Sequence, residues 1–295
     1  MSLAYHDGQY VDKAAITIRP SDFGFSRGLT VFELTRVYQG MAFRLDDHVD
    51  RFAMGARLFG IRCPVDSGEL ERIARHLIAQ NKYPHSVVKF YLTAGECAQP
   101  GTFGFARSEG FTPHLIVMEE KMEPLHPEAP KGLELYRRGI RLKTVPFARQ
   151  NPLVKSINYA PGYCAAQALA AEAWDEILYT DAKGNVTETT ISNFFAVIDG
   201  VLCTPAEGML AGVTRKVLLE LADRIDLKTA EINIKPADVS QATEAFIASS
   251  FLEMVPVKAV DTKIFATTID GRAYSQLRRA FTAYVQEALA SHEKA

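Results

Sequence analysis

A polar stretch carrying Pro124, Pro127 and Pro130 runs from Glu119 to Gly132 and separates two regions that alternate short apolar runs with amphipathic helices. Closely spaced prolines fix φ and remove backbone donors, so neither a strand nor a helix can continue through them. The chain must therefore be built in two parts. The expectation is a linker over 121–132, joining a smaller N-terminal domain over 1–120 to a larger C-terminal domain over 133–295. At 295 residues and 47% hydrophobic composition, each part is large enough to bury a core of its own.

Before the linker, Leu34 to Tyr38 and Met41 to Leu45 alternate apolar and polar residues across Gln39-Gly40, the pattern of a β-hairpin. A helix opening at Asp47 puts Val49, Phe52, Ala56 and Phe59 on one stripe and stops at Gly60. A second helix, capped by Asp66 with Glu69 three residues on, buries Leu70, Ile73, Ala74, Leu77 and Ile78. Val87 to Leu92 and His114 to Met118 are short, near-continuous apolar runs and read as buried strands, with a loop from Gly95 to Thr112 between them. After the linker, strands are expected at Leu133 to Tyr136, Ile140 to Pro146 and Glu176 to Thr180, with a hairpin over Phe194 to Leu202 turned by Asp199-Gly200. Helices are expected over Gly162 to Ala173, Val213 to Asp223 and Arg272 to Ala290. Both parts mix strands and helices, which makes the fold class α/β of the mixed α+β kind.

The 33 basic and 35 acidic residues leave a formal charge of -2, which offers no electrostatic footprint for nucleic acid. Cys63, Cys97, Cys164 and Cys203 are widely spaced and the histidines form no HxxxH or HExxH pattern, so spacing implies no metal. No apolar run reaches the roughly 18 residues of a membrane span, and Met1 to Tyr10 lacks the basic-then-apolar order of a signal peptide. A cytoplasmic protein acting on small molecules is expected, with neither nucleic acid nor membrane as partner.

Lys155 lies in Pro152-Leu-Val-Lys-Ser-Ile-Asn-Tyr159, flanked by apolar residues and directly before a small-residue helix. Partial desolvation lowers the pKa of an amine and makes it a usable nucleophile toward a carbonyl, although most lysines in such settings are surface residues with buried stems. Two further segments accompany it, Asn185-Val-Thr-Glu-Thr-Thr-Ile-Ser-Asn-Phe-Phe195 and Met209-Leu-Ala-Gly-Val-Thr-Arg-Lys-Val-Leu-Leu219. Together with Asp22 to Glu33 and His48 to Phe52, they make the chain resemble the class IV aminotransferases from Asp22 to about Val257. That family comprises the fold-type-IV pyridoxal-phosphate enzymes: branched-chain and D-amino-acid aminotransferases, R-selective amine transaminases and aminodeoxychorismate lyase.

The resemblance implies two mixed α/β domains, a homodimer and pyridoxal 5′-phosphate as cofactor. It implies that Lys155 holds that cofactor as a Schiff base and moves the proton in a 1,3-shift. Glu188 matches the glutamate facing the pyridine nitrogen, where a carboxylate keeps the ring an electron sink; alone it could equally be a solvated strand-edge carboxylate. Arg51 matches the arginine on the phosphate, suited to it by a planar fork of donors. Gly212, Val213 and Thr214 open a helix whose free amides favour an anion, and Ser250 falls where relatives place a threonine hydroxyl on the same phosphate. Tyr159 corresponds to a tyrosine on the cofactor O3′, displaced by one residue from the branched-chain pattern; otherwise it is a helix-start aromatic bonding the backbone. His48 takes a supporting place beside Arg51.

The substrate end departs from the pattern. Where several relatives read Thr-Arg-Gly, this chain reads Thr93-Ala94-Gly95, and Ala94 cannot grip a carboxylate. Arg27, at a position usually aromatic, is the replacement expected from another wall of the pocket, or else a rim residue paired with a nearby acid. Phe25, Phe32 and Leu29 suit an apolar side chain. The leading expectation is a transaminase moving an amino group from an apolar, branched-chain-like amino acid to a 2-oxo acid such as 2-oxoglutarate. The alternatives are an aminodeoxychorismate lyase, a D-amino-acid or amine transaminase, and a binding protein that keeps the fold without turnover.

Overall fold

The structure is a computed structural model and describes residues 2–97, 110–123, 133–169, 172–266 and 268–293. It divides into two compact units, the first formed by Met1–Glu123 with Val154–Asn158 and the second by Pro124–Leu153 with Tyr159–Ala295. The expected division assigned all of 133–295 to one domain; the structure instead gives Val154–Asn158 to the first unit. The physical reason is burial: Val154 is 1% exposed within the first unit's core, and Ser156 bridges to Val31. Most of the 121–132 linker and the centre of the loop expected over Gly95 to Thr112 lie outside the described residues.

The first unit runs β1 (Leu3–His6), β2 (Gln9–Asp12), α1 (Phe23–Arg27), β3 (Thr30–Tyr38), β4 (Met41–Ala42), α2 (Leu45–Leu58), α3 (Ser67–Asn81), β5 (His85–Cys97) and β6 (Phe111–Lys121). Its strands form a six-stranded antiparallel sheet in the order β2-β1-β6-β5-β3-β4. Leu45, Val49, Phe52 and Ala56 of α2 and Leu70, Ile73, Ala74, Leu77 and Ile78 of α3 pack with Val31, Val88, Phe90, Leu92, Leu115 and Val117 of the sheet. Asp66 caps α3 by accepting from the Glu69 amide at 2.8 Å. Helix α2 begins two residues before the expected Asp47, at Leu45, because Arg44 turns the chain in the left-handed region (φ 52°). Strands β5 and β6 are longer than their apolar runs, continuing to Cys97 and starting at Phe111. The Gly95 bulge requires glycine, since φ is +74° and a Cβ there would lie 1.6 Å from the Thr112 carbonyl oxygen.

The second unit contains α4 (Leu133–Arg138), β7 (Ile140–Pro146), α5 (Ala160–Leu169), β8 (Glu176–Thr180), β9 (Val186–Thr189), β10 (Asn193–Ile198), β11 (Val201–Pro205), α6 (Val213–Arg224), β12 (Thr229–Ile232), α7 (Pro236–Gln241), β13 (Glu244–Ser249), β14 (Glu253–Val260), β15 (Lys263–Ile264) and α8 (Arg272–His292). The strand expected over Leu133 to Tyr136 is the helix α4. Gly139 ends it, its amide bonding the Leu135 carbonyl, and Tyr136 is buried with its hydroxyl on the Leu252 carbonyl. The order β12-β11-β10-β13-β14-β7-β8-β9 mixes parallel and antiparallel pairs, and the pairing of Asn193 with Glu188 joins β10 back to β9. That closure sets Glu188 at a junction where two strand ends meet. Among the described residues no helix is long and apolar enough to cross a membrane.

Candidate active site

In the first unit, Lys155 is fixed through its backbone. The Phe32 amide donates to its carbonyl at 2.8 Å, and the neighbouring Val31–Ser156 bridge continues the attachment to β3. Its ammonium nitrogen lies 4.7 Å from the centre of the Phe32 ring, and Phe32 is in turn stacked on Tyr91 at 6.0 Å. An amine over an aromatic face is partly desolvated yet retains a favourable electrostatic partner.

One position along β3, Glu33 is completely buried, which calls for a compensating cation. Arg51 supplies it with two parallel hydrogen bonds, Nε to Oε2 and Nη2 to Oε1, both 2.7 Å. His48 Nδ1 is 3.1 Å from Oε1, and the Leu34 amide donates to the same oxygen at 2.7 Å. Arg51 and His48 stand three apart on α2 and so share the face turned to Glu33. Burial by itself would raise the Glu33 carboxyl; the Arg51 guanidinium, then His48 and the hydrogen bonds from both, outweigh it and hold the group well below the usual carboxylate range. Burial also pushes His48 down, Glu33 pulls it up, and the charges of Arg51 and Lys155 push it down again, with a net lowering. His48 is therefore neutral at physiological pH, and its contact with Glu33 is a hydrogen bond rather than an ion pair.

In the second unit, Glu188 on β9 is 4% exposed and accepts from Arg149 Nη1 at 2.8 Å and the Leu210 amide at 3.2 Å. Asn193, paired with it across the strands, donates to the Leu210 carbonyl at 2.8 Å, so both backbone groups of Leu210 are bound. Gly212 follows as the N-cap of α6, with no side chain capping the helix, and a Cβ there would meet Asn193 Oδ1 at 2.0 Å. A twelve-residue helix thus begins with its free amides and positive dipole end unmasked. Thr214, in the first turn, has its hydroxyl 3.5 Å from that of Ser250. Tyr159 lies just before α5, half-buried, its carbonyl accepting from the Tyr163 amide. Tyr179 is pushed up to about 12, chiefly by burial, with Glu176 raising it, Arg149 lowering it, and Glu188 and Tyr159 raising it.

Lys155, Arg51 and Phe32 thus gather in the first unit, and Glu188, Thr214 and Ser250 with the Gly212-Val213 helix start in the second. The substrate-end residues are placed differently. Phe25 is 68% exposed, Arg27 ends α1 on the surface with Nη1 on the Ser26 carbonyl, and Ala94 is 5% exposed in the first unit's core. Glu33 and Arg149 went unnoticed in the sequence. Glu33 had a signal, an acid on the same strand face as Val31, Thr35 and Val37. For Arg149 the only hint is its place six residues before Lys155.

The first unit offers an amine able to form an imine and a cationic fork, and the second a helix start with a hydroxyl pair and a buried carboxylate; each set by itself has donors that a phosphorylated pyridine aldehyde requires, so these residues fit pyridoxal 5′-phosphate. Residues 30–260 match the model of the amino-transferase class IV family, and the chain belongs to that family. It is similar to the branched-chain-amino-acid aminotransferase of Pseudomonas aeruginosa, 27% identical over 94% of this chain and 91% of that one. It is also similar to the aminodeoxychorismate lyase of Bacillus subtilis, 26% identical over 99% and 97%. In structure it resembles the T.th. branched-chain amino acid aminotransferase with pyridoxamine 5′-phosphate, with a TM-score of 0.85 at 23% identity, covering 96% of this chain and 93% of that one.

Proposed function

We propose that the protein is a pyridoxal-phosphate-dependent transaminase that moves an amino group between an apolar, branched-chain-like amino acid and a 2-oxo acid such as 2-oxoglutarate. The observation that carries this reading is the first unit's arrangement around Lys155, an amine tied by its backbone to β3 and laid over Phe32. Lys155 supplies the nucleophile that holds the cofactor and, once displaced, the base that moves the substrate α-proton. In the second unit the start of α6 with Thr214 and Ser250 is suited to hold the phosphate, and in the first Arg51, oriented by Glu33, is the cation suited to it. Glu188, which accepts from Arg149, would meet the ring nitrogen, and Tyr159 would bond the ring's hydroxyl. Bound there, the cofactor supplies the electron sink for α-carbon chemistry.

The substrate class follows from what surrounds the amine. Phe32 and Tyr91 form a stacked aromatic wall beside Lys155, suited to an aliphatic side chain. Phe25, Arg27 and Ala94 complete the substrate end in this reading, as part of a cytoplasmic homodimer.

The test is a half-reaction screen. L-Leucine, L-valine and L-isoleucine are expected to convert the absorbance of the bound aldehyde form to that of the amine form, and 2-oxoglutarate to reverse it. D-amino acids alone doing so would move the protein to the D-specific branch. Pyruvate released from 4-amino-4-deoxychorismate, with every amino acid inert, would make it a lyase.

A further inference from the structure

Two strands of the first unit bring together a set of ligands that chain spacing conceals. His6 pairs directly with Ile116 across β1 and β6, and His114 lies two residues from Ile116 on the same strand. Opposed residues of an antiparallel pair share a face, and positions two apart return to it, so both imidazoles project from one side of the sheet as diagonal neighbours. Asp7 follows His6 at the head of the β1–β2 turn in the left-handed region (φ 46°). Its amide donates to the Leu115 carbonyl at 3.1 Å and its Oδ1 accepts from the Leu115 amide at 2.8 Å. This fixes the carboxylate and points Oδ2 between the rings, 2.5 Å from His114 Nδ1 and 3.4 Å from His6 Nε2. The three ligand atoms all lie within 4.8 Å of one another.

Those separations suit a tetrahedral ion. With metal–ligand bonds of about 2.0–2.1 Å, neighbouring ligand atoms stand about 3.3 Å apart. The Asp7–His6 edge already has that length, and the Asp7–His114 edge must open by under about 1 Å. The side chains are 26%, 36% and 32% exposed for His6, Asp7 and His114, so they are free to make that adjustment. Both histidines also line a cavity of about 330 Å³, which leaves a side of the cluster open for a fourth ligand. Glu96 and Arg19 line the same cavity and are paired with each other at 3.3 Å.

We propose that His6, Asp7 and His114 form a binding site for a divalent transition-metal ion of the zinc class, sharing no ligand with the residues assigned to the cofactor. Two imidazoles with one carboxylate select such ions over magnesium or calcium, which prefer all-oxygen sets. Because the ligands come from the β1–β2 corner and from β6, an ion there ties the N-terminal hairpin to the sheet.

The test uses chelator-treated, cofactor-loaded protein titrated with zinc chloride against a chromophoric chelator. One equivalent per chain is expected, with affinity at least about tenfold weaker in His6→Gln and in His114→Gln. Zinc should raise the Tm of the wild type but of neither variant, and magnesium chloride should raise none. Cobalt(II) should give the visible bands of a nitrogen–oxygen tetrahedral site without the intense near-ultraviolet bands of thiolate ligation. Should a histidine variant fail to fold, Asp7→Asn, which keeps both bonds to Leu115, replaces it. The proposal is overturned if no stoichiometric zinc binds, if the substitutions leave affinity unchanged, or if cobalt reports thiolate ligands.

Discussion

Replacing Glu33 with glutamine tests the physical core of the first unit's site. The substitution keeps the shape of the side chain and removes its charge, leaving the Arg51 guanidinium, only 8% exposed, without its counter-ion. Breaking a buried pair from one side costs roughly 3–5 kcal/mol, and at roughly 2–4 °C per kcal/mol for a domain of this size the Tm should fall by roughly 6–20 °C. The loss should be greatest in the cofactor-free protein. A phosphate dianion on Arg51 replaces the missing charge, so saturating pyridoxal phosphate should rescue more of the Tm in Glu33→Gln than in the wild type. The pH dependence has a definite sign. The folded pKa of Glu33 is depressed, so its contribution is complete above the unfolded value near 4.3 and is lost as pH falls below it. The difference between wild type and variant should therefore narrow by up to about 1.4 kcal/mol per pH unit below pH ~4.3. Thermal melts with and without cofactor, at pH 7.5 and at steps below pH 5, measure all of this. A variant melting within a degree or two of the wild type at pH 7.5 would refute the reasoning.

Ser250→Ala should weaken cofactor binding to the apoprotein by roughly ten- to a hundredfold, the worth of a hydrogen bond to a charged group, read by fluorescence titration; an unchanged Kd would remove Ser250 from the phosphate site. Arg149→Met takes a cation from the Glu188 carboxylate, which is 4% exposed; breaking a buried pair from one side costs roughly 3–5 kcal/mol, so the Tm should fall by roughly 6–20 °C, and a Tm within a degree or two of the wild type would contradict it. Gly162→Ala places a Cβ 2.3 Å from the Tyr179 hydroxyl and should cost about 1–3 kcal/mol, most of it recovered in the double variant with Tyr179→Phe. Equal Tm values for Gly162→Ala and the wild type would contradict that steric account.

The first unit was largely legible because its elements obey local rules: an alternating hairpin, an aspartate cap at Asp66 and apolar stripes on α2 and α3. Leu133 to Tyr136 misled because four residues cannot separate a period of 2 from one of 3.6, and the helix is settled by Gly139 at its end. Lys155 and Glu188 could be picked out only through resemblance, since a lysine near apolar residues and a glutamate among threonines are common. The partners of Glu188 and Arg51 come from other segments, Arg149 and Glu33, and such pairs have no short-range signature. The His6, Asp7 and His114 cluster was invisible for the same reason, 107 residues separating Asp7 from His114.

The chain passes between its two units three times, because Val154–Asn158 belongs with Met1–Glu123 while its neighbours on both sides do not. During biosynthesis the first unit is therefore incomplete when residue 123 leaves the ribosome. The position of Val154 in its core is still unfilled, and Val31 and Phe32 lack the backbone partners that Ser156 and Lys155 later bring. Assembly of the N-terminal half must wait for a piece embedded in the sequence of the other. The segment delivered last to that half carries Lys155, the residue proposed to hold the cofactor, so a nascent chain does not complete the surroundings of that amine until more than half of its length has been made.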